Sequence, residues 1–479
     1  MSMDDILLLN LPITMAGYKT MSEFASRAFP LGLASLSGVL KEKGYTFSVI
    51  DADAFDMSIE EMVSKIAERK PRIIGISTYS PYAGLIRRAV KAVKERLKDS
   101  IIVLGGHHAF ASRGELLNET AADIIAIGEG EYIFADICDA VLNNKDLETV
   151  RGIYFKKGQK TVYTGDREYI KDLNSLPMPA YEKFPMEAYR GHFYRKWVAG
   201  QRRPFSSVIT SRGCPFNCGF CSNVMWGKNV RFQSPERVIR EIDHLVGNYG
   251  IRQMSFFDDT FTLDMKRAEK ICDLLIGRKY NLDIYCSTRV DVLNEGLIKK
   301  MAASGFKWIG IGIESGNDRI LKKISKNQSV KKCSEILRMI ADNRIAIYGN
   351  IILGYPEEDR STLNDSLHFI LDNPVHLPQF NVFVPYPGTP IYDELVAKGV
   401  HMPKDTNQMS RVISYNKDIS ARYLSTFLWY SYFRSLVSMK YLNLIRKTFK
   451  LSMVFSDVMK LGWAMVRLNR EAKTEETPT

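Results

Sequence analysis

Eleven short apolar runs, separated by amphipathic stretches of helical period, divide this chain into two strand–helix series. The first comprises Ile6–Asn10, Thr46–Asp51, Ile73–Ser77, Ile101–Leu104 and Ile124–Ile127, with helical patterns at about Leu31–Lys43, Ser58–Arg69, Ala83–Lys98 and Gly114–Glu119. The second comprises Ser206–Ser211, Gln253–Phe257, Asp283–Ser287, Trp308–Ile313, Ile345–Leu353 and Gln379–Val384. Strands alternating with helices in this way predict parallel sheets covered on both faces. The expectation is an α/β protein in four parts. Residues 1–145 form a doubly wound, Rossmann-like sheet, 201–395 a second unit of six parallel strands, and 396–479 a helical region. Residues 146–200 read as a connector, with a small hairpin at Gly152–Lys156 and Thr161–Tyr163 and a proline-stiffened link at Leu173–Pro179. Ligands of such sheets collect beyond the carboxyl ends of the strands, so side chains there are the first candidates.

The loop after the first strand of the second series reads Ser211-Arg-Gly-Cys-Pro-Phe-Asn-Cys-Gly-Phe-Cys-Ser222. Its thiols, Cys214, Cys218 and Cys221, suit one face of a cubane cluster and leave one iron open. A ferredoxin normally closes that corner with a fourth Cys. A structural zinc site takes four ligands, and no His follows until His244. The reading is a redox cluster. Cys138, Cys272, Cys286 and Cys333 read instead as buried small hydrophobes. The chain opens Met-Ser-Met-Asp-Asp, and Ile6–Leu9 is too short for a signal core. Unpaired cysteines without such a signal lead to the expectation of a reducing, cytoplasmic setting.

This spacing, with its Gly, Pro and aromatic filling, resembles the signature of the radical S-adenosylmethionine (SAM) superfamily. The resemblance implies a 4Fe-4S cluster on Cys214, Cys218 and Cys221, whose open iron chelates SAM, with Phe220 among the cofactor contacts. It also implies a partial (β/α)6 TIM-type barrel whose functional groups crowd the C-terminal strand ends. The candidates there are Asp258, Asp259, Arg289, Glu314 and Ser315. Glu314 and Asp258 are assigned to the ribose and ammonium of SAM, and Arg289 to its carboxylate. Each also has an ordinary reading as a helix cap, a turn former or half of an ion pair.

The strand ends of the first series carry Asp51-Ala-Asp53, Gly75-Ile-Ser77-Thr78, Gly105-Gly106-His-His108 and Gly128-Glu129-Gly130-Glu131. Small residues let a bulky ligand approach the backbone. Together these stations resemble the vitamin B12-binding domain found upstream of many radical SAM enzymes. The resemblance implies cobalamin in contact with Asp51, Asp53, Ser77, Thr78, Gly105, Gly106, Gly128, Glu129 and Gly130. B12-dependent mutases carry Asp-x-His-x-x-Gly where this chain has Asp51-Ala-Asp53-Ala-Phe-Asp56. Cobalt without a histidine lower ligand is therefore expected, with His107 and His108 packing or hydrogen-bonding near the corrin.

Of the formal charge of +12, an excess of seven falls in residues 401–479. Ala421–Ile445 and Leu451–Leu468 are aromatic, amphipathic and basic, and Glu471–Thr479 reads as disordered. The longest uncharged stretch of the first segment is 11 residues, against about 20 for a membrane span. Two expectations follow: aromatic faces packed on the barrel mouth, or a peripheral membrane contact. No RNA-binding motif is evident, so nucleic acid is not an expected partner.

Together these readings predict a cobalamin-dependent radical SAM enzyme. It would methylate an unactivated carbon through a 5′-deoxyadenosyl radical and methylcobalamin, on a small-molecule or lipid-like substrate. An external donor such as flavodoxin or ferredoxin would supply electrons. The alternative is an oxidative cyclase resembling the anaerobic magnesium-protoporphyrin monomethyl ester cyclase, without net methylation. Methylthiolation of tRNA would require a second three-cysteine set in the N-terminal third, which holds only Cys138.

Overall fold

The computed structural model describes residues 5–14, 27–191, 193–195, 197, 200–222, 225–402, 412–449 and 454. Strands β1 (Ile6–Asn10), β2 (Phe47–Asp51), β3 (Ile73–Ser77), β4 (Ile101–Gly105) and β5 (Ile124–Ala126) lie parallel in the order β2-β1-β3-β4-β5. All of β1 is buried, as a strand covered on both faces must be. Its alternate residues serve two cores. Ile6 and Leu8 join Leu33, Ile133 and Phe134 on one face, while Leu7 and Leu9 join Met62, Ile66 and Val90 on the other. The strand order reverses between β1 and β3, opening a crevice at the carboxyl ends.

The hairpin expected in the connector does not stand apart. Its strands, β6 (Ile153–Lys157) and β7 (Lys160–Tyr163), extend this sheet to seven strands, β6 pairing antiparallel with β5. The link that follows docks on the helix Leu31–Glu42, where the Ala180 amide donates to Ser37 Oγ at 3.0 Å.

The second unit begins with β8 (Phe205–Val208). The run expected to continue to Ser211 breaks there. Ser211–Arg212 (β9) pairs instead with Arg231–Phe232 (β10), antiparallel, clamping both ends of the cysteine loop. Then follow β11 (Gln253–Phe256), β12 (Asp283–Thr288), β13 (Phe306–Glu314), β14 (Ala346–Leu353) and β15 (Leu377–Val382). These five and β8 form a parallel six-stranded sheet in the order β8-β11-β12-β13-β14-β15, the partial barrel. Side-chain caps from Ser234, Asp264, Asn294, Ser329 and Asp359 start the intervening helices. Each cap closes the connection from the preceding strand into its helix. The four isolated cysteines are buried, as expected.

The first of the two C-terminal segments expected at the barrel mouth instead runs along the open edge of the sheet, with Leu424 near its start reaching Gly354 at the carboxyl end of β14. The helix Ala421–Val437 lies along β15, with the Tyr432 hydroxyl 3.2 Å from the Phe380 amide nitrogen that donates to it. The helix Met439–Thr448 continues toward the amino ends of the strands, where Phe449 stacks on Trp308 at 5.4 Å. An unpaired edge strand needs covering, and this segment covers it. Leu451–Leu468, apart from Val454, and Glu471–Thr479 lie outside the described residues. Among the described residues no helix is long and apolar enough to cross a membrane.

A methyl group at Gly38 would stand 2.8 Å from the Met178 carbonyl oxygen, which is backbone and cannot swing away. Gly38→Ala is therefore expected to destabilise the protein by roughly 1–3 kcal/mol. Equilibrium urea unfolding measures it; an unchanged midpoint would mean that the link does not rest on this helix.

Candidate cluster and cofactor site

Gly213 carries the chain from β9 into the cysteine loop at φ +96°, and a Cβ there would stand 2.8 Å from the Asn229 carbonyl oxygen. Only glycine turns at this point. Cys214 and Cys218 are half-buried, Cys221 is exposed, and none is in a disulfide. The loop is pinned beyond them. The Gly219 amide donates to Ile324 O at 2.9 Å, and Phe220 packs on a cluster containing Ile320, Ile324 and Tyr355. Phe220 thus anchors the loop to the barrel.

Beneath the loop, Asp258 is buried and accepts from Thr210 N and Oγ1, both at 2.5 Å, and from Ser211 N at 3.0 Å. Its carboxylate, assigned from sequence to SAM, is taken up by the backbone that delivers the cysteines. Arg289, by contrast, reaches the loop itself. Its guanidinium stacks 3.7 Å from the Phe216 ring centroid, and Nη1 donates to Cys218 Sγ at 3.5 Å. Its other edge pairs with Asp291 at 2.9 and 2.7 Å. A soft thiol, Cys218, beside a buried cation in a loop that carries two further thiols suits an anionic iron–sulfur cluster. Among the described residues no three His, Cys, Asp or Glu side chains converge on a single metal ion. Asp259 lies near Cys214, and its carboxyl is pushed up to about 6 by desolvation and then by Asp258.

Glu314 ends β13 at φ +66°, at an irregularity in the β13–β14 register. Its carboxylate pairs with Lys326 at 2.6 Å, both side chains being buried. A side chain at Gly312 would collide with this pair. Strained backbone of this kind persists only where the surroundings enforce it. Ser315 builds the following turn, accepting from Asn317 N at 3.2 Å with Ser366 Oγ at 3.3 Å. Arg289, Asp259 and Glu314 stand at the strand ends, Arg289 and Glu314 in ion pairs with Asp291 and Lys326, whereas Asp258 and Ser315 hydrogen-bond the adjoining backbone. Lys326 was not singled out from sequence, because a lysine after a short helix reads as solvated.

Glu358 was also missed. It lies buried in the loop after β14, accepting from the Gly354 and Tyr355 amides at 2.6 and 3.1 Å. Burial pushes its carboxyl up to about 8. A raised carboxyl binds its proton more tightly in the fold. Its stabilising contribution is full below the unfolded value near 4.5 and is lost as pH rises through about 8. The stability of the native chain relative to Glu358→Gln should therefore fall between about pH 5 and 9. Denaturant titrations across that range test this, and a pH-independent difference would contradict it.

In the first domain, Asp51 accepts from Asn10 Nδ2 and Ala54 N at 2.9 Å and from the Tyr189 hydroxyl at 2.6 Å. Asp53 accepts from Thr14 N at 2.6 Å and Oγ1 at 3.0 Å. Both carboxylates are buried among protein donors. Thr78 locks the ends of β3 and β4 together, donating from Oγ1 to Gly105 O at 2.7 Å and accepting from Ala109 N at 3.1 Å. Gly106 turns at φ +90°, where a Cβ would stand 2.9 Å from Thr78 O. With Ser77, Gly105, Gly128 and Gly130 at the neighbouring strand ends, the result is a platform of bare backbone. His107 stacks on Tyr79 at 6.0 Å, and His108 Nδ1 lies 3.3 Å from Ser80 and Ser112 Oγ. Burial, then Arg87, lowers His108 to about 4, so it is neutral. Both histidines pack or hydrogen-bond within the protein.

Platform and cysteine loop meet through a buried charge cluster. Glu129 accepts from Arg212 Nη1 and Arg231 Nη1, both at 2.7 Å, and from Ile170 N at 2.6 Å. Glu131 accepts from Arg212 Nη2 at 2.5 Å and from Ser35 Oγ at 2.6 Å. Arg212 and Arg231 face each other across the β9–β10 ladder. Arg212 also stacks 4.7 Å from the Trp226 ring, whose neighbour is His107 at 6.4 Å. Glu129 thus holds two arginines, not a free carboxylate for a corrin. Arg212→Gln leaves Glu131 buried without its cation, and a loss of about 3–5 kcal/mol is expected. Chemical denaturation decides; a loss well below about 1 kcal/mol would contradict the pairing.

A sequence profile for the radical SAM superfamily matches residues 208–370, and one for the B12 binding domain matches residues 19–138. An uncharacterized methyltransferase of Pyrococcus horikoshii is 30% identical over 396 residues, spanning 82% of this chain and 84% of that protein. The chain belongs to the cobalamin-binding radical SAM family. Within this family it is also 27% identical over 387 residues to the anaerobic magnesium-protoporphyrin IX monomethyl ester cyclase of Cereibacter sphaeroides, covering 78% of this chain and 61% of the cyclase. The fold matches the radical SAM methyltransferase TsrM of Kitasatospora setae, solved with cobalamin and a 4Fe-4S cluster bound. That match has a TM-score of 0.68 at 17% identity and covers 83% of this chain and 75% of TsrM. The cysteine loop and the glycine platform each fall inside the segment matched by the corresponding profile of this cobalamin-binding radical SAM protein.

Proposed function

We propose that this protein is a cobalamin-dependent radical SAM methyltransferase that methylates an unactivated carbon of a small-molecule or lipid-like substrate. The observation that carries the reading is the bare Thr78–Gly105–Gly106 platform joined to the cysteine loop through Arg212, Glu129 and Glu131. Cys214, Cys218 and Cys221 would hold the cluster, and the platform would seat cobalamin. When bound, these cofactors and SAM supply a one-electron reductant, a hydrogen-abstracting radical and a transferable methyl group.

The chain's own groups bind and orient. Arg289 brings positive charge to the cluster loop and would meet the SAM carboxylate by exchanging a contact it now makes with Cys218 or Asp291. The Glu314–Lys326 pair offers an acceptor and a donor at the end of β13. Asp51 and Asp53 are engaged by protein donors, and no imidazole occurs between them and Asp56. This supports cobalt without a histidine lower ligand. A flavodoxin or ferredoxin would deliver the electron.

A second reading, oxidative ring closure without net methylation, is favoured by the likeness to the magnesium-protoporphyrin cyclase. Product mass separates them: methylation adds one CH2, cyclisation does not. The primary test is anaerobic reconstitution with iron, sulfide and cobalamin, then SAM and dithionite. Formation of 5′-deoxyadenosine is expected, falling to background in Cys218→Ala. An iron-loaded native protein that forms none would overturn the proposal.

A further inference from the structure

The C-terminal helices carry a second surface with no part in the cofactor site. The helix Ala421–Val437 buries Leu424, Phe427, Ser431 and Ser435 on one face. Its opposite face presents Trp429, Phe433 and Leu436 at helical spacing, with Tyr430 and Val437 beside them. Met439 and Leu442 of the next helix continue the ridge. Phe433 is 62% exposed and Met439 70%, far from the usual state of such side chains. A contiguous apolar patch of this kind marks an interaction surface.

The charges around the ridge identify the partner. Residues 421–449 hold five cations (Arg422, Arg434, Lys440, Arg446 and Lys447) and no Asp or Glu. At the foot of the ridge lies a cavity of about 730 Å³ whose cations, Lys307, Arg338, Arg344, Lys440 and Lys447, outnumber its carboxylates, Asp342 and Asp372. Lys440 pairs with Asp372 at 2.6 Å, whereas Lys307, Arg338, Arg344 and Lys447 have no carboxylate partner among the described residues. Exposed aromatics bordered by uncommitted cations are complementary to a surface with apolar chains beneath phosphate groups. A second copy would set five cations against five. Residues 450–479, with five cations and four anions, bring little of the missing negative charge.

We propose that this ridge and its basic cavity form a peripheral docking surface for a bilayer containing anionic phospholipid. The apolar side chains enter below the headgroups, and the cavity takes headgroup phosphate. The helices cover β15 and lead toward the amino ends of the strands, so docking leaves the cysteine loop at the carboxyl ends unobstructed.

Co-sedimentation of the full chain with phosphatidylcholine vesicles, with and without phosphatidylglycerol, tests the surface. Binding is expected only to the anionic vesicles and should weaken in high salt. Phe433→Ser should abolish it, and Arg344→Glu and Lys447→Glu should each weaken it about fivefold or more. All three variants should keep the native melting temperature and 5′-deoxyadenosine formation in solution. Failure to bind, or equal binding by native and variant chains, overturns the proposal. So does a concentration-dependent dimer that Phe433→Ser dissociates, which would make the ridge a contact between copies. Protection of Met439 from oxidation in the vesicle-free chain would likewise assign the ridge to residues 450–479.

Discussion

Glu129, Glu131, Arg212 and Arg231 are taken out of water together, and the geometry of the site depends on that shared burial. Desolvation makes such a cluster a poor source of net stability but intolerant of a missing partner. A lost cation leaves a buried carboxylate that water cannot reach. The cluster therefore fixes orientation more than it adds stability. Arg212 stands two residues before Cys214, and Glu129 stands between the glycines that end the first sheet's ligand edge. One set of contacts places the thiols of one domain and the bare platform of the other.

The two halves solve different chemical problems with different residue types. The platform offers backbone, because the chain there is Gly, Ser and Thr and its acids are satisfied internally by Thr14, Asn10 and Tyr189. A large, flat ligand needs clearance more than charge. The cysteine loop offers soft donors and a cation. Asp258 makes that possible by accepting three hydrogen bonds from the strand that delivers the loop.

Much of this was legible in the sequence, for physical reasons. Buried parallel strands are nearly continuous apolar runs, so β1 and β3 were located to the residue and the other strands to within two or three. Glycines at strand ends and closely spaced thiols are local signals. The missed features depend on contacts between distant residues. Arg212 and Glu129 lie 83 positions apart, and nothing local tells a buried arginine from a solvated one. Glu358 sits in an acidic run, Glu357-Glu358-Asp359, that reads as a solvated turn until its burial is seen. The first C-terminal helix was misplaced because amphipathicity specifies a buried face but not its partner, and the partner proved to be the open edge β15.

If Cys214, Cys218 and Cys221 hold the cluster and the Gly105–Gly106 platform seats cobalamin, as proposed, the arginine–glutamate contacts bring the two cofactors to facing surfaces. Electron paramagnetic resonance of the reduced protein, with cob(II)alamin and the cluster both paramagnetic, tests it directly. Mutual broadening or splitting of the two signals is expected, because both spins would lie across one interface. A spectrum equal to the sum of those from singly loaded protein would contradict it.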